Sequence, residues 1–153
     1  MAGHTENSVE IKAPLQLVWD MTNDVESWPN LFSEYANAEV LEQEGDTVQF
    51  RLTTHPDPEY DGKVWSWTSE RTADPAAYSS KSRRIETGPF EYMTIEWEFE
   101  ELEDGTRMRW VQDFSMKPEA PADDETAQDY MNRNTKEQMG VIKEKLEKEA
   151  AER

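Results

Sequence analysis

Cysteine is absent from this 153-residue chain. That excludes a disulfide framework, a thiol nucleophile and thiolate metal sites, and it is compatible with a reducing, cytoplasmic setting. Cations are scarce: 16 Lys and Arg stand against 34 Asp and Glu, for a formal net charge of −18. Nucleic acid needs a basic footprint to neutralise its phosphates, so it is a poor partner here, and an anionic membrane surface is disfavoured for the same reason. Long apolar runs are missing, and none reaches the length of a membrane span. The first residues, Met1 to Asn7, have neither the positive nor the apolar region of a signal peptide. Histidine occurs only twice, at His4 near a start expected to be flexible and at His55 in a polar loop. Neither falls on an inward-facing row and no ligand-spaced acidic cluster accompanies them, so no metal is expected. A nucleophile elbow, a phosphate loop and a dinucleotide fingerprint are likewise missing, and no cofactor is expected.

What is present is a modest apolar supply: 35% of residues are hydrophobic and 33% charged. This suits a thin shell around a hollow as well as a small solid core. Six Trp, five Tyr and five Phe argue against disorder, and a few such rings are large enough to wall a pocket. The length suits one domain spanning 1–153.

Patterning orders the elements. Val9 and Ile11 share one side of a short first strand over 8–12. Ala13-Pro14 breaks it and opens a helix through Leu15 and Trp19, with Pro suited to a first turn. Asn23-Asp24 offers a cap for a second short helix toward Leu31 and Phe32. From Glu39 the period becomes 2. Val40 lies on one strand, Val48, Phe50 and Leu52 on the inner face of the next, and residues 55–62 form a polar hairpin loop. A tryptophan-bearing strand follows, then one over 78–86 with Ser80, Ser82 and Arg84 on one side. Met93, Ile95, Trp97 and Phe99 form one face of a long strand. Met108, Trp110, Gln112, Phe114 and Met116 face inward on its partner. Beyond a stiff linker, Asp123-Asp124 place negative charge at the start of a helix reaching about Glu149. Its Ala127, Met131, Gln138, Ile142 and Leu146, with Asn134 or Thr135, share a face. The expected fold is α+β: a helix-grip in which a curved antiparallel sheet of about seven strands, two short helices and a long C-terminal helix enclose a cavity. Polar Gln138 on the inner helix face needs a partner, which a cavity holding water or ligand supplies.

The segment Lys63–Arg71 carries the chemistry. On a strand, Trp65, Trp67, Ser69 and Arg71 share one face, so two indoles are followed in the same row by a hydroxyl and a guanidinium. An unpaired charge is costly in a packed core, whereas a cavity for a flat, oxygen-rich ligand has use for both groups. Arg71 then stabilises negative charge developing on oxygen, or forms an ion pair with Glu34 or Glu86. Arg84 occupies an inward position on its own strand. Tyr35 either donates its hydroxyl to a substrate oxygen or packs with that hydroxyl satisfied. Lys81, Arg83, Arg107 and Arg109 point outward, as a docking patch or as cross-strand ion pairs.

Several blocks resemble the single-domain aromatase/cyclases of bacterial type II polyketide synthases, within the START/Bet v 1-like superfamily. They are Ala13-Pro14 through Trp19-Asp20, Thr22-Asn23-Asp24, Trp28-Pro29, Leu31-Phe32-Ser33-Glu34-Tyr35-Ala36, Val64-Trp65-Ser66-Trp67, Glu86-Thr87-Gly88-Pro89-Phe90 and Met108 through Pro118. The Trp-Pro, Phe-Ser-Glu-Tyr, Thr-Gly-Pro-Phe and Met-Lys-Pro blocks together are specific, and they span nearly the whole chain. The resemblance implies a cofactor-free enzyme that folds a poly-β-ketone held by an acyl carrier protein, alongside other type II synthase subunits. It closes the first ring by aldol condensation, with C9–C14 closure favoured over C7–C12, and dehydrates it to an aromatic ring. It implies catalytic roles for Arg71, Tyr35 and Ser69, and substrate-binding roles for Trp28, Trp65, Trp67, Arg84, Phe90, Met93, Trp110, Gln112 and Gln138. If Arg71 stabilises the enolate, a modest base such as water or a substrate oxygen suffices, because methylenes between two carbonyls are already acidic. The alternative within the superfamily is a non-catalytic carrier of lipid or another hydrophobic ligand.

Overall fold

The computed structural model describes residues 2–56 and 62–152. Seven strands form one antiparallel sheet: β1 (Gly3–Ile11), β2 (Tyr35–Glu44), β3 (Thr47–Thr54), β4 (Ser66–Asp74), β5 (Ser79–Arg84), β6 (Phe90–Leu102) and β7 (Gly105–Met116). Their spatial order is β1-β7-β6-β5-β4-β3-β2. Strands two to seven thus make a meander, and the first strand closes onto the last. Helix α1 (Leu15–Asn23), a 3₁₀ turn (Val25–Ser27) and α2 (Trp28–Leu31) connect β1 to β2, and α3 (Asp124–Ala151) ends the chain. The expected helix-grip is the observed fold.

The sheet is bent where its register slips, between Tyr35 and Asn37, Val40 and Glu42, and Phe90 and Tyr92. An extra residue on one strand raises the local twist and re-aims side chains. Two of these slips stand at the starts of β2 and β6, where Tyr35 and Phe90 turn toward the interior.

Helix α3 is held at both ends. Asp123 caps it by accepting the Thr126 amide at 2.8 Å, a device worth about 1 kcal/mol. Near its far end, Glu147 accepts the Lys12 amide at 2.8 Å and pairs with Lys143 at 2.7 Å. The inner face changes character along its length. Met139, Ile142 and Leu146 are buried in the main apolar cluster with Val18, Trp19, Phe99 and Met108. Ala127 belongs to a smaller cluster with Met93 and Phe114. Between the two clusters the helix presents Met131, Asn134, Thr135 and Gln138 to open space, so the solid core stops where polar side chains begin.

Several elements depart from the sequence reading. Strand β1 starts at Gly3 rather than Ser8, and the chain start is a full ladder partner of β7, from Gly3↔Phe114 to Ile11↔Thr106. His4 is therefore fixed, with Nδ1 2.5 Å from Asp113 Oδ1. Strand β2 starts at Tyr35 rather than Glu39. Asp24 stands at the N-cap position of the 3₁₀ turn but makes no side-chain capping bond, and the Asn23 Oδ1 that could cap instead accepts Arg71 Nη2 at 3.2 Å. Trp65 lies just ahead of β4, although its backbone still bonds Thr54 across the gap at 2.8 Å. The hairpin loop expected over 55–62 falls mostly on residues 57–61, outside the described residues. On the outer sheet face Arg107 bridges Glu10 and Glu100, Arg109 bridges Glu6 and Glu98, and Arg83 bridges Glu70. Cross-strand pairing, rather than an open basic patch, is what these three arginines provide.

Candidate active site

A cavity of about 280 Å³ opens between the sheet and the first half of α3, close to the lower end of the size range of small-molecule pockets. Eleven of the twelve residues expected at the site line it: Tyr35, Ser69, Trp28, Trp65, Trp67, Arg84, Phe90, Met93, Trp110, Gln112 and Gln138. Strand alternation explains this. In the register Phe50↔Ser69↔Arg84, inward positions on β3, β4 and β5 stand side by side, and Ser69 is only 6% exposed.

The aromatic walls are stacked rather than merely adjacent. Trp97 lies against Trp110 with ring centroids 4.4 Å apart and an angle of 5°. Trp28 stacks on Trp97 at 5.6 Å, and Phe32 on Trp110 at 5.9 Å. Such offset rings form a rigid, flat floor suited to planar ligands. Arg84, also lining the cavity, sits between Trp67 and Phe90, its guanidinium carbon 4.5 Å and 5.1 Å from the two ring centroids. Its Nε donates to the Glu86 carbonyl at 3.2 Å. Burial pulls its pKa down to about 10, opposed by nearby Tyr35 and Glu86, so it stays cationic at neutral pH.

Arg71 is placed otherwise than expected. Parity does turn it inward, and it is 2% exposed, but it does not line the cavity. Trp97 and Trp28 lie over its guanidinium, at 4.4 Å and 5.7 Å. Trp97 thus packs against both Arg71 and Trp110, and Trp97 and Trp28 also border the cavity. Arg71 Nη2 donates to Asn23 Oδ1 at 3.2 Å, and among the described residues Nε has no partner. The alternative, an ion pair, is not found among the described residues: Glu86 pairs with Arg51 at 2.9 Å. Burial pulls the Arg71 pKa down to about 9.

The polar groups of the cavity are tied to α3. Gln112 Oε1 accepts both Thr5 Oγ1 at 2.8 Å and Thr135 Oγ1 at 3.0 Å. Gln138 clamps Ser33, accepting its amide and donating to its hydroxyl, both at 2.9 Å. Asn134 donates to Glu34 Oε2 at 2.8 Å. The Tyr35 hydroxyl is pushed well above its ordinary pKa, chiefly by burial and then by the charge of Glu34 and a hydrogen bond to it, while Arg84 opposes the shift. Among the described residues no group of three or more His, Asp or Glu gathers as metal ligands would, and no helix is long and apolar enough to cross a membrane.

Residues 11–139 match the family described as polyketide cyclase / dehydrase and lipid transport. A Streptomyces cyaneus protein provisionally named a polyketide cyclase is 62% identical over 147 residues, covering 96% of this chain and 95% of that one. The chain belongs to this polyketide cyclase family. The actinorhodin polyketide synthase bifunctional cyclase/dehydratase of Streptomyces coelicolor is 30% identical over 74% of this chain, which spans only 35% of that longer protein. In fold, the chain superimposes on the Zhui aromatase/cyclase of Streptomyces sp. R1128 with a TM-score of 0.81 at 23% identity, covering 99% and 94% of the two chains.

Within this family fold, the residues that pattern reading passed over are Phe32, Ser82, Tyr130 and the carboxylate of Glu34, all of which line the cavity. Ser82 was findable, since it shares the inward row of Arg84. Glu34 carries no periodic signal, because it precedes its strand.

Proposed function

We propose that the protein is a polyketide aromatase/cyclase. It takes a poly-β-ketone tethered to an acyl carrier protein, within a type II polyketide synthase, directs first-ring aldol closure, favouring C9–C14, and dehydrates the ring to an aromatic one. The whole chain acts as one domain and needs no cofactor. The observation that carries this reading is a stacked tryptophan floor and a sandwiched, cationic Arg84 lining one cavity that also holds Tyr35 and Ser69.

The chemistry follows from that set. A poly-β-ketone is reactive at many carbons, so confinement between flat walls supplies much of the selectivity by orientation. Arg84, which touches the cavity, stabilises the enolate oxygen as charge develops. Ser69, paired across the strands with Arg84, positions a carbonyl or a water. Tyr35, held neutral by its raised pKa, donates a proton to oxygen. Arg71 acts indirectly, by fixing Trp97 and Trp28. The remaining lining groups shape the bound chain.

The test is reconstitution with a minimal polyketide synthase and its carrier protein, followed by product analysis. Addition of the protein is expected to convert a mixture of spontaneously cyclised products into one aromatic first-ring product. An unchanged mixture, together with tight binding of long-chain lipid, establishes a passive carrier and overturns the proposal.

A further inference from the structure

The cavity has an acid and a cation, and the side chains that line it offer one group able to act as a base stronger than water. Among the described residues, Glu34 is its single carboxylate and no histidine borders it. Arg84 is a cation, Tyr35 is a phenol with a raised pKa, and the other polar side chains are amides and hydroxyls. None of these accepts a proton near neutral pH.

Glu34 is also built in rather than merely solvated. Helix α3 reaches it from across the cavity, Asn134 Nδ2 donating to Oε2 at 2.8 Å. One turn along, Gln138 fixes the preceding residue through two hydrogen bonds to Ser33. The Glu34 carbonyl accepts the His55 amide at 2.9 Å. Tyr35, the next residue in the chain, lines the same cavity and feels the charges of both Glu34 and Arg84. Carboxylate, phenol and guanidinium therefore border the same cavity.

We propose that Glu34 is the catalytic base of ring formation, with Asn134 as its positioning residue. This rests on the cyclase reading above. Glu34 removes a proton from a methylene between two carbonyls, and the C–H electron pair moves onto the carbonyl oxygen that faces Arg84. The enolate carbon then attacks a second ketone. The C–C bond forms, the C=O π pair becomes an alkoxide, and Tyr35 protonates it. The proton on Glu34 then returns to Tyr35, its neighbour in the chain, leaving both residues as they began. For dehydration, Glu34 removes the next α-proton, the electron pair forms the C=C bond, and the hydroxyl leaves as water with a proton from Tyr35. Glu34 again returns its proton, so no external reactant is consumed.

The experiment compares variants in the reconstituted synthase, with folding checked by thermal melting. Glu34→Gln keeps the size and the hydrogen bond acceptor but not the base. It is expected to lower the rate of aromatic product about 100-fold or more, the scale of general-base catalysis, while Glu34→Asp recovers a large part of it. Formate, a carboxylate able to occupy the vacated space, is expected to restore turnover to Glu34→Ala. A folded Glu34→Gln with a rate within threefold of wild type overturns the assignment. If that variant does not fold, Asn134→Ala decides: a roughly tenfold fall in kcat at constant KM is expected, and an unchanged kcat overturns it. Absence of cyclisation by the wild type refutes the cyclase reading itself, which keeps the two failures apart.

Discussion

The guanidinium carbon of Arg71 lies 4.4 Å from the centre of the Trp97 ring, which is itself stacked on Trp110. The cation is buried, donates to Asn23 at 3.2 Å and has no carboxylate partner among the described residues. The cation–π contacts are worth about 2 kcal/mol each when desolvated. Removing an ion from water costs several kcal/mol, so the balance is near zero. Arg71→Met, which fills the same space with an unbranched apolar chain, is therefore expected to leave the free energy of unfolding within about 1 kcal/mol of wild type or to raise it. Arg71→Lys puts a compact, more strongly hydrated charge in the same place and is expected to destabilise by about 2 kcal/mol or more. Urea melts of the two variants measure both. A Met variant much less stable than the Lys variant would mean that the planar cation outweighs its own desolvation.

Gly88 stands behind the other arginine. Its φ is +55°, and a Cβ there would come within 3.3 Å of Arg84 Nη2. Gly88→Ala thus meets two penalties, a left-handed backbone costing about 1–2 kcal/mol for an L side chain and a push on a cavity-facing guanidinium. The expected result is a lowered melting temperature together with a fall in kcat for ring closure. Loss of stability with kcat retained would show that Arg84 yields without moving its charge.

How far the sequence exposed this arrangement depends on which force placed each residue. Strand alternation ordered Trp65, Trp67, Ser69 and Arg71 on one face, and that parity is observed. Parity says nothing about depth, however. Arg71 is sealed off by Trp28, which arrives from a short helix far away in the chain, and no local pattern in Lys63–Arg71 signals that ring. Glu34 is similar, because its aim is set by Asn134, a hundred positions downstream. The early start of β1 was hidden for a different reason. His4, Thr5, Glu6 and Asn7 lack apolar alternation, and Thr5 is buried because Gln112 accepts its hydroxyl. The helix-grip itself was legible because its strands and α3 carry long, regular apolar periods.

His4 ties the first strand to the last, and its pKa is raised by hydrogen bonds to Asp113 and Glu6. A group whose folded pKa exceeds its unfolded value stabilises the fold fully below the unfolded pKa, near 6.5 for histidine. That contribution is lost as pH rises through the folded pKa. The melting temperature of wild type is therefore expected to exceed that of His4→Gln most at about pH 5.5, with the gap closing at alkaline pH. Half the side chain is exposed, so the gap is small and shrinks in high salt. A gap that widens with pH contradicts the assignment of charge to this contact.

Arg84 offers the sharpest division between charge and shape. Its Nε is committed to the Glu86 carbonyl, its faces are covered by Trp67 and Phe90, and its terminal amino groups are left for a ligand in the cavity. Arg84→Lys keeps the positive charge but not the planar fit between two rings. Arg84→Met keeps the packing but not the charge. If the role is stabilisation of enolate oxygen, Met is expected to lower kcat by about 10²–10³, the scale seen for removal of one preorganised donor, and Lys by about tenfold. If the residue served only as a wall, the order would invert, because Met packs between aromatics better than an ammonium does. The pKa of about 10 adds a second reading of the same experiment. Between pH 6 and 8 the wild-type guanidinium remains charged, so the ratio of wild-type to Met rates should be constant across that range. A ratio that varies with pH would assign the lost activity to another titrating group.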